Sequence, residues 1–349
     1  MSDQIKLFQT DRVWKQIGTE VLDLVNQYHQ RGQAQNGEIT NQLETVLSQR
    51  FGRKHCITTA CGTDALDIAL QALSLPANSA IAVSNYTFTA SAHAIARSGH
   101  RVVPVDVVEN YCMDPDKIES AAAMVTVDLF GNISNYQRLE ESGIPIVVDA
   151  AQSLESMDQH GVWSAQRGIA SCLSFSPSKT ISSWGSGGAV LTDDDDIAYK
   201  CKKLRLHGKT KNSDVSIAPG LNSMMSTLES AAVLVGLRYA DQWQSRRKQI
   251  AEYLIEQSNH ASAMDLDVKK HTFSKLVFQS SQRDAIIKRL HSQNVDCVVH
   301  YTRLINDEPI YTNNQHYKVS EHLKSLSFTV PNQHTLTDSE VEIIAQGLK

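Results

Sequence analysis

A lysine, Lys179, lies in the stretch Ser174-Phe-Ser-Pro-Ser-Lys179-Thr-Ile-Ser-Ser-Trp-Gly-Ser-Gly-Gly188, between two apolar runs of strand character. An aspartate, Asp149, closes an earlier run, Pro145-Ile-Val-Val-Asp149. An amine able to form a Schiff base and a carboxylate at a separate strand end are the pair that pyridoxal phosphate chemistry needs. The carboxylate keeps a protonated pyridine nitrogen charged, so that the ring accepts electrons when a substrate C–H bond breaks. The lysine amine, once released from the cofactor, is the base that moves the proton. Taken alone, Asp149 also reads as the N-cap of a following helix.

Such a pair needs a phosphate cradle and an aromatic shelf. The run Ala60-Cys61-Gly62-Thr63-Asp64-Ala65-Leu66 is a small-residue turn that follows a strand and opens an amphipathic helix. Free N–H groups and the positive dipole end at a helix start suit a phosphate, although an ordinary capped helix has the same pattern. Gly62 lets the backbone approach closely, and Thr63 adds a hydroxyl. Ser174, at a strand end, is a further phosphate donor. In Tyr86-Thr87-Phe88-Thr89-Ala90-Ser91, an aromatic after a strand can stack on a flat ring or simply fill the core. Gln152, three residues after Asp149, can hydrogen-bond a phenolic oxygen. The glycines of Gly185-Ser-Gly-Gly188 lack the G-x-G-x-x-G spacing and precede a strand, which excludes a dinucleotide fingerprint.

The elements that must position these groups follow from periodicity. Helical spacing runs from Asp11 to His29 and from Glu38 to Phe51. Short β-rich runs then recur at His55–Thr59, Ala80–Ser84, Arg101–Val105, Met124–Asp128, Ile146–Asp149, Ile169–Phe175 and Gly188–Thr192, several of them separated by helix-length stretches. That alternation predicts an α/β fold, a mostly parallel sheet of about seven strands flanked by helices. Pro104 assigns its strand to an edge or a strand end. Asp194–Arg205 reads as a helix, and the acidic run Asp193–Asp196 as its solvated cap. A long helix from about Ser226 to about Ile255 bridges two domains. Further helices are expected at Arg283–Gln293 and Asp338–Leu348. The expected division is a large domain over residues 1–240, including the N-terminal helices, and a smaller C-terminal α+β domain over 241–349.

Composition narrows the function. The chain has 349 residues and a formal charge of -5, which gives no electrostatic reason to bind nucleic acid or an acidic membrane. No apolar run approaches the ~20 residues of a membrane span, and the N-terminal stretch Met1–Lys6 shows no signal-peptide pattern. Six scattered cysteines form no C-x-x-C pair. They point to free thiols in a reducing, cytoplasmic compartment.

Several runs together resemble the DegT-type nucleotide-sugar aminotransferases, fold-type I pyridoxal phosphate enzymes. They are Gly62-Thr63-Asp64-Ala65-Leu66, Thr87-Phe88, Val148-Asp149-Ala150-Ala151-Gln152, Ser174-Phe175 through Lys179 to Gly187-Gly188, Arg205-Leu-His207-Gly208, Gly220-Leu-Asn222 through Ala231-Ala232, Val299-His300-Tyr301, and Leu326-Ser327 to Pro331. The match covers nearly the whole chain, in order. The resemblance implies an aspartate-aminotransferase-like large domain with Lys179 bonded to pyridoxal 5'-phosphate and Asp149 on its ring nitrogen. Phe88 would stack on the ring, and Gln152 would lie near the phenolic oxygen. Gly62, Thr63, Asp64 (through its backbone) and Ser174 would hold the phosphate. Asn222 would reach the cofactor phosphate of the other subunit of a homodimer. It further implies glutamate as amino donor and a nucleotide-linked keto-sugar as acceptor, in surface-polysaccharide or related glycan synthesis.

The spacing from Lys179 to Gly187-Gly188 resembles that of members acting on 3-keto sugars, with 4-keto sugars or cyclitols as alternatives. Ser182 and Ser186 replace the usual Gly and Asp of that stretch. Met224 stands where many members have Arg, and His300–Asn306 lacks the usual prolines and final His. Two other readings compete. A sugar dehydratase of the same branch would carry His in place of Lys179. A non-catalytic regulator that kept the fold would not need Lys179, Asp149, Phe88 and Asn222 together.

Overall fold

The computed structural model describes residues 4–210, 215–216 and 218–349, so the first three residues of the N-terminal stretch lie outside it. The strands are β1 (His55–Thr59), β2 (Ala80–Ser84), β3 (Arg101–Val105), β4 (Ala123–Val127), β5 (Ile146–Asp149), β6 (Ala170–Ser174), β7 (Gly188–Thr192), β8 (Ala261–Ser262), β9 (Leu276–Gln279) and β10 (Ser327–Val330). The helices are α1 (Thr10–His29), α2 (Glu38–Arg50), α3 (Gly62–Ala72), α4 (Ala90–Arg97), α5 (Tyr136–Glu140), α6 (Asp195–Leu204), α7 (Thr227–Gln257), α8 (Arg283–Ser292), α9 (Lys318–Leu326) and α10 (Asp338–Leu348). All seven strands expected before residue 193 are present, displaced by at most a residue or so at their ends.

Strands β1 to β7 form one sheet in the order β1-β7-β6-β5-β4-β2-β3. Only β7 runs antiparallel to its neighbours. Strands β2 to β6 pair parallel to one another. β3 is the edge strand that Pro104 predicts.

Side-chain alternation divides each central strand between two cores. Ala82, Met124, Val148, Leu173 and Leu191 pack with α1, α2 and the first half of α7. Their neighbours Ile81, Val83, Val125, Val147, Cys172 and Val190 pack with α3, α4 and α6 on the other face. Period-two alternation between two apolar faces is what a sheet covered on both sides demands.

Asp194 caps α6, accepting from the backbone N–H groups of Asp196 and Ile197 at 2.8 and 2.9 Å. The neighbouring Asp193 and Asp195 pair with Arg53 and Lys54. The acidic run is therefore a helix cap, as expected. Ser226 and Glu229 form a reciprocal capping box at the start of α7, a helix of 31 residues. The last turns of α7 bring Ile250, Ala251 and Leu254 into a third core. That core packs α8, α10 and the antiparallel sheet β10-β9-β8, and it also takes in Tyr86, Tyr111, Leu129 and Phe130 from the part of the chain that carries the large sheet.

Candidate active site

Parallel pairing places the C-terminal ends of β2, β4, β5 and β6 at one edge of the sheet. β7 begins at that edge, where Gly188 is the register partner of both Thr59 and Ser174. The turns that follow these strands carry the residues singled out from the sequence, so one sheet edge collects Gly62, Phe88, Asp149, Ser174 and Lys179.

Asp149 ends β5 and is buried. No helix follows it, which removes the N-cap reading. Its Oδ2 accepts a hydrogen bond from Ser91 Oγ at 2.7 Å and its Oδ1 one from the Ala151 N–H at 3.1 Å. Burial raises its pKa above the ordinary carboxylate value, against the lowering effects of Ser91, Lys179 and the Ala151 N–H. Lys179 is part-buried, and its backbone N–H closes a turn onto the Ser176 carbonyl at 3.0 Å. Burial lowers the pKa of its amine, and the nearby Asp149 charge opposes that shift. The two groups that the sequence pairs thus sense each other electrostatically across the sheet edge.

The cradle is built by close approach. Cys61 caps α3 through its sulfur, which accepts from the Asp64 N–H at 3.4 Å. A Cβ at Gly62 would lie 2.7 Å from Ser174 Cβ, and one at Gly188 would lie 2.5 Å from the Cys61 carbonyl carbon. The helix start, Ser174 and the glycine turn therefore share a space that no extra side chain could enter. Thr63 and Asp64 follow in the first turn of α3, both part-buried. The Asp64 carboxylate accepts from Ser223 Oγ at 2.7 Å. The Ala60 N–H donates to both Ser223 Oγ and the Ser223 carbonyl, at 3.0 and 3.1 Å.

Asn222, adjacent to Ser223, is exposed. Its segment is fixed by pairing between the two runs noted in the sequence. His207 N–H donates to Leu221 O at 2.8 Å and Ser223 N–H to Arg205 O at 3.0 Å. Arg205 itself is structural: its guanidinium ties Glu44 at 2.5 Å and the Thr58 carbonyl at 2.9 Å.

Of the two aromatics in the Tyr86–Ser91 run, Tyr86 is core. It is 0% exposed and donates to the His300 carbonyl at 2.7 Å, whereas Phe88 is 55% exposed. Phe88 has an open face and lies 5.9 Å, centroid to centroid, from Tyr301. Gln152 is buried. Its Oε1 accepts from the Phe130 N–H at 3.1 Å and its Nε2 donates to Tyr301 Oη at 2.8 Å. One amide hydrogen of Gln152 remains for another acceptor. His300 bonds Thr329 Oγ1 at 2.9 Å, and its pKa is pushed down to about 3 by burial and by Lys275 and Lys179.

The sequence did not single out Ser91, Ser223 or Lys275. A hydroxyl in Phe88-Thr-Ala-Ser91 that aims back at a strand-end acid is a signal only once the acid is placed. The run Thr272-Phe-Ser-Lys275-Leu-Val-Phe278 offers a lysine at the mouth of an apolar strand, which reads as a solvated flank.

The chemistry of this donor set fits pyridoxal phosphate. A lysine amine, a buried acid, a cradle too tight for a Cβ and an exposed aromatic face converge at one sheet edge. The fold and site together define a fold-type I pyridoxal phosphate enzyme. The chain belongs to the DegT/DnrJ/EryC1/StrS aminotransferase family, whose model matches residues 15–349. It is an aminotransferase, and its cofactor is pyridoxal phosphate. It is 28% identical over 331 residues to UDP-2-acetamido-2-deoxy-3-oxo-D-glucuronate aminotransferase of Pseudomonas aeruginosa, covering 91% of this chain and 92% of that protein. It is 26% identical to the "Pleiotropic regulatory protein" of Geobacillus stearothermophilus, covering 88% and 86% of the two chains. The crystal structure of NtdA from Bacillus subtilis with bound cofactor PMP is similar at a TM-score of 0.87 and 25% identity, covering 98% of this chain and 82% of that one. No described helix is long and apolar enough to cross a membrane, and the six cysteines are free.

Proposed function

We propose that this enzyme transfers the amino group of glutamate to a nucleotide-linked keto-sugar, with a preference for a 3-keto acceptor. The observation that carries the reading is that the part-buried Lys179 amine and the buried Asp149 carboxylate each act on the other's charge at the sheet edge beside the Gly62–Ser174 cradle. The 3-keto preference draws on the Lys179-to-Gly188 spacing and on the Pseudomonas relative, which acts on a 3-oxo sugar. The acceptor belongs to the chemistry of glycan building blocks, in a reducing, cytoplasmic setting that suits six free thiols.

Pyridoxal phosphate, when bound, supplies an electron-accepting ring for the charge left by a broken C–H bond. Lys179 would hold it through Nζ, and the same amine would take up and return the migrating proton. Asp149, fixed by Ser91 and the Ala151 N–H, would keep a positive ring nitrogen charged. Phe88 offers its open face to the ring. Gln152, whose amide is oriented by Phe130 and Tyr301, has a spare N–H that would donate to the phenolic oxygen. The N–H groups of Gly62, Thr63 and Asp64, with Ser174, would hold the phosphate. Asn222 serves the second subunit of a homodimer.

Mixing the protein with pyridoxal phosphate is expected to produce a visible absorption band that is absent in Lys179→Ala. Adding glutamate shifts that band, and adding a 3-keto nucleotide sugar restores it and yields an amine. A wild-type protein that takes up no pyridoxal phosphate would sink the reading. A 3-deoxy product without amine would point instead to dehydration, and a 4-keto sugar or cyclitol as the better acceptor would overturn the C3 preference. Cofactor uptake without any turnover would favour a regulator, the name carried by the Geobacillus relative.

A further inference from the structure

We propose that Lys275 is the group that receives a substrate carboxylate at this site. The inference rests on the transaminase reading above and adds one chemical feature of its substrates. Lys275 directly precedes β9 and is only 6% exposed. Its Nζ donates to the carbonyl oxygens of Ser178 at 2.9 Å and of Ser274 at 3.2 Å. Those bonds use two of its three N–H groups. The Phe8 ring covers another side, with its centroid 4.6 Å from Nζ. Among the described residues no carboxylate pairs with it, and the charges that act on it are those of Lys179 and Arg247.

The surroundings are positive. Ser178 is the residue before Lys179, so the second amine is tied to the very turn that carries the first. Burial, and then the charges of Lys179 and Arg247, oppose protonation of Lys275. Lys275 and Lys179 act in the same way on His300. Arg247 is fully buried, and among the described residues its hydrogen bonds go to neutral oxygens, the Asn332 carbonyl at 2.9 Å and Gln333 Oε1 at 2.7 Å. The carboxylate that Arg247 senses, Glu155, is held by Arg50 and lies 4.0 Å from Lys270. Asp149 is engaged by Ser91 and Ala151.

Lys179, Lys275 and Arg247 therefore gather around the site with less negative charge than positive. A buried amine with no counter-charge is costly, and Leu or Met would fill the same space without that cost. An amino-acid donor brings carboxylates to Lys179, and so does a uronic acid acceptor. A carboxylate entering there meets the remaining N–H of Lys275 and stabilises its charged form.

The test measures binding to the protein loaded with pyridoxal phosphate, by calorimetry. Two matched pairs of unreactive probes are compared: glutarate with glutaramide, and UDP-glucuronic acid with UDP-glucose. The wild type is expected to prefer the charged member of one pair, and Lys275→Met to weaken that member about tenfold or more while the neutral partner is unchanged. Preference within the first pair assigns the carboxylate to the donor; preference within the second assigns it to the acceptor. Three results overturn the proposal. One is a wild type indifferent within both pairs. Another is a Lys275→Met variant that keeps the preference to within about twofold. The third is loss of the folded state, by near-ultraviolet circular dichroism, in Lys275→Met and Lys275→Gln alike, which makes the lysine purely structural. The visible band of the loaded wild type is read separately. Its absence sinks the transaminase reading, whereas a band without a carboxylate preference sinks only the role of Lys275.

Discussion

At Lys179 and Asp149, burial works against charge on both partners, and each partner's charge works for the other. Burial lowers the pKa of Lys179 from the usual 10.5, so a reactive neutral amine is present at lower pH than on an exposed lysine. The rate of pyridoxal phosphate uptake is expected to rise with pH and level off at a pH below 10.5; stopped-flow absorbance across pH checks this. An inflection at or above the ordinary lysine value would show that burial does not act on the amine.

For Asp149 the sign is the reverse of a salt-bridged acid. Its folded pKa lies above 3.8, so the folded protein binds the extra proton. Stability is lost as pH rises from the unfolded value through the folded one. Asp149→Asn removes that loss. Relative to wild type, its cofactor-free melting temperature should be higher at pH 7 than at pH 4, while transamination falls by about tenfold or more as a charged hydrogen bond disappears. Scanning calorimetry at the two pH values, with an activity assay, tests both halves.

The elements of the large sheet were readable because each strand alternates between two apolar faces. Ile81 and Val83 belong to one core and Ala82 to the other, a pattern visible in five consecutive residues. The cradle and its lysine were readable for the same reason, since they sit on turns that follow such strands. The connections between turns were not readable. Gln152 bonds Tyr301, 149 positions away, and Ser91 bonds Asp149 across 58. Lys275 reaches Ser178 across 97. No local period records which side chain meets which across a sheet edge, and a buried lysine has the same local sequence as a solvated one.

Gly188 shows how an element boundary becomes a site constraint. Its absent side chain lets β7 start beside β1 and β6 while the Cys61–Gly62 backbone occupies the space that a Cβ would need. Gly188→Ala would put a carbon 2.5 Å from backbone that cannot move as a flexible side chain could. A loss of about 1–3 kcal/mol in urea unfolding is expected, together with weaker pyridoxal phosphate binding. Unchanged cofactor affinity in a folded variant would separate the glycine turn from the cradle.

On the scale of the whole molecule, Asn222 is an exposed side chain on a segment held rigidly against the cradle. Its neighbour Ser223 is fully buried and locks onto Ala60 and Asp64 of the cradle, while Asn222 itself is exposed. Pairing of residues 205–207 with residues 221–223 fixes that outward direction. If a homodimer brings this side chain to the partner's cradle, each site needs Lys179 from one subunit and Asn222 from the other, because a two-fold interface presents the same patch from both sides. Lys179→Ala and Asn222→Ala homodimers should then each be impaired, the first abolished and the second weakened in cofactor affinity. Subunit exchange between them creates heterodimers in which one site carries both defects and the other carries none. Activity at limiting pyridoxal phosphate should therefore rise on mixing, to a level above the sum of the separate variants, with a time course that follows subunit exchange. Sedimentation velocity supplies the oligomeric state. A monomer, or a mixture no more active than its parts, would return Asn222 to the role of an ordinary surface residue.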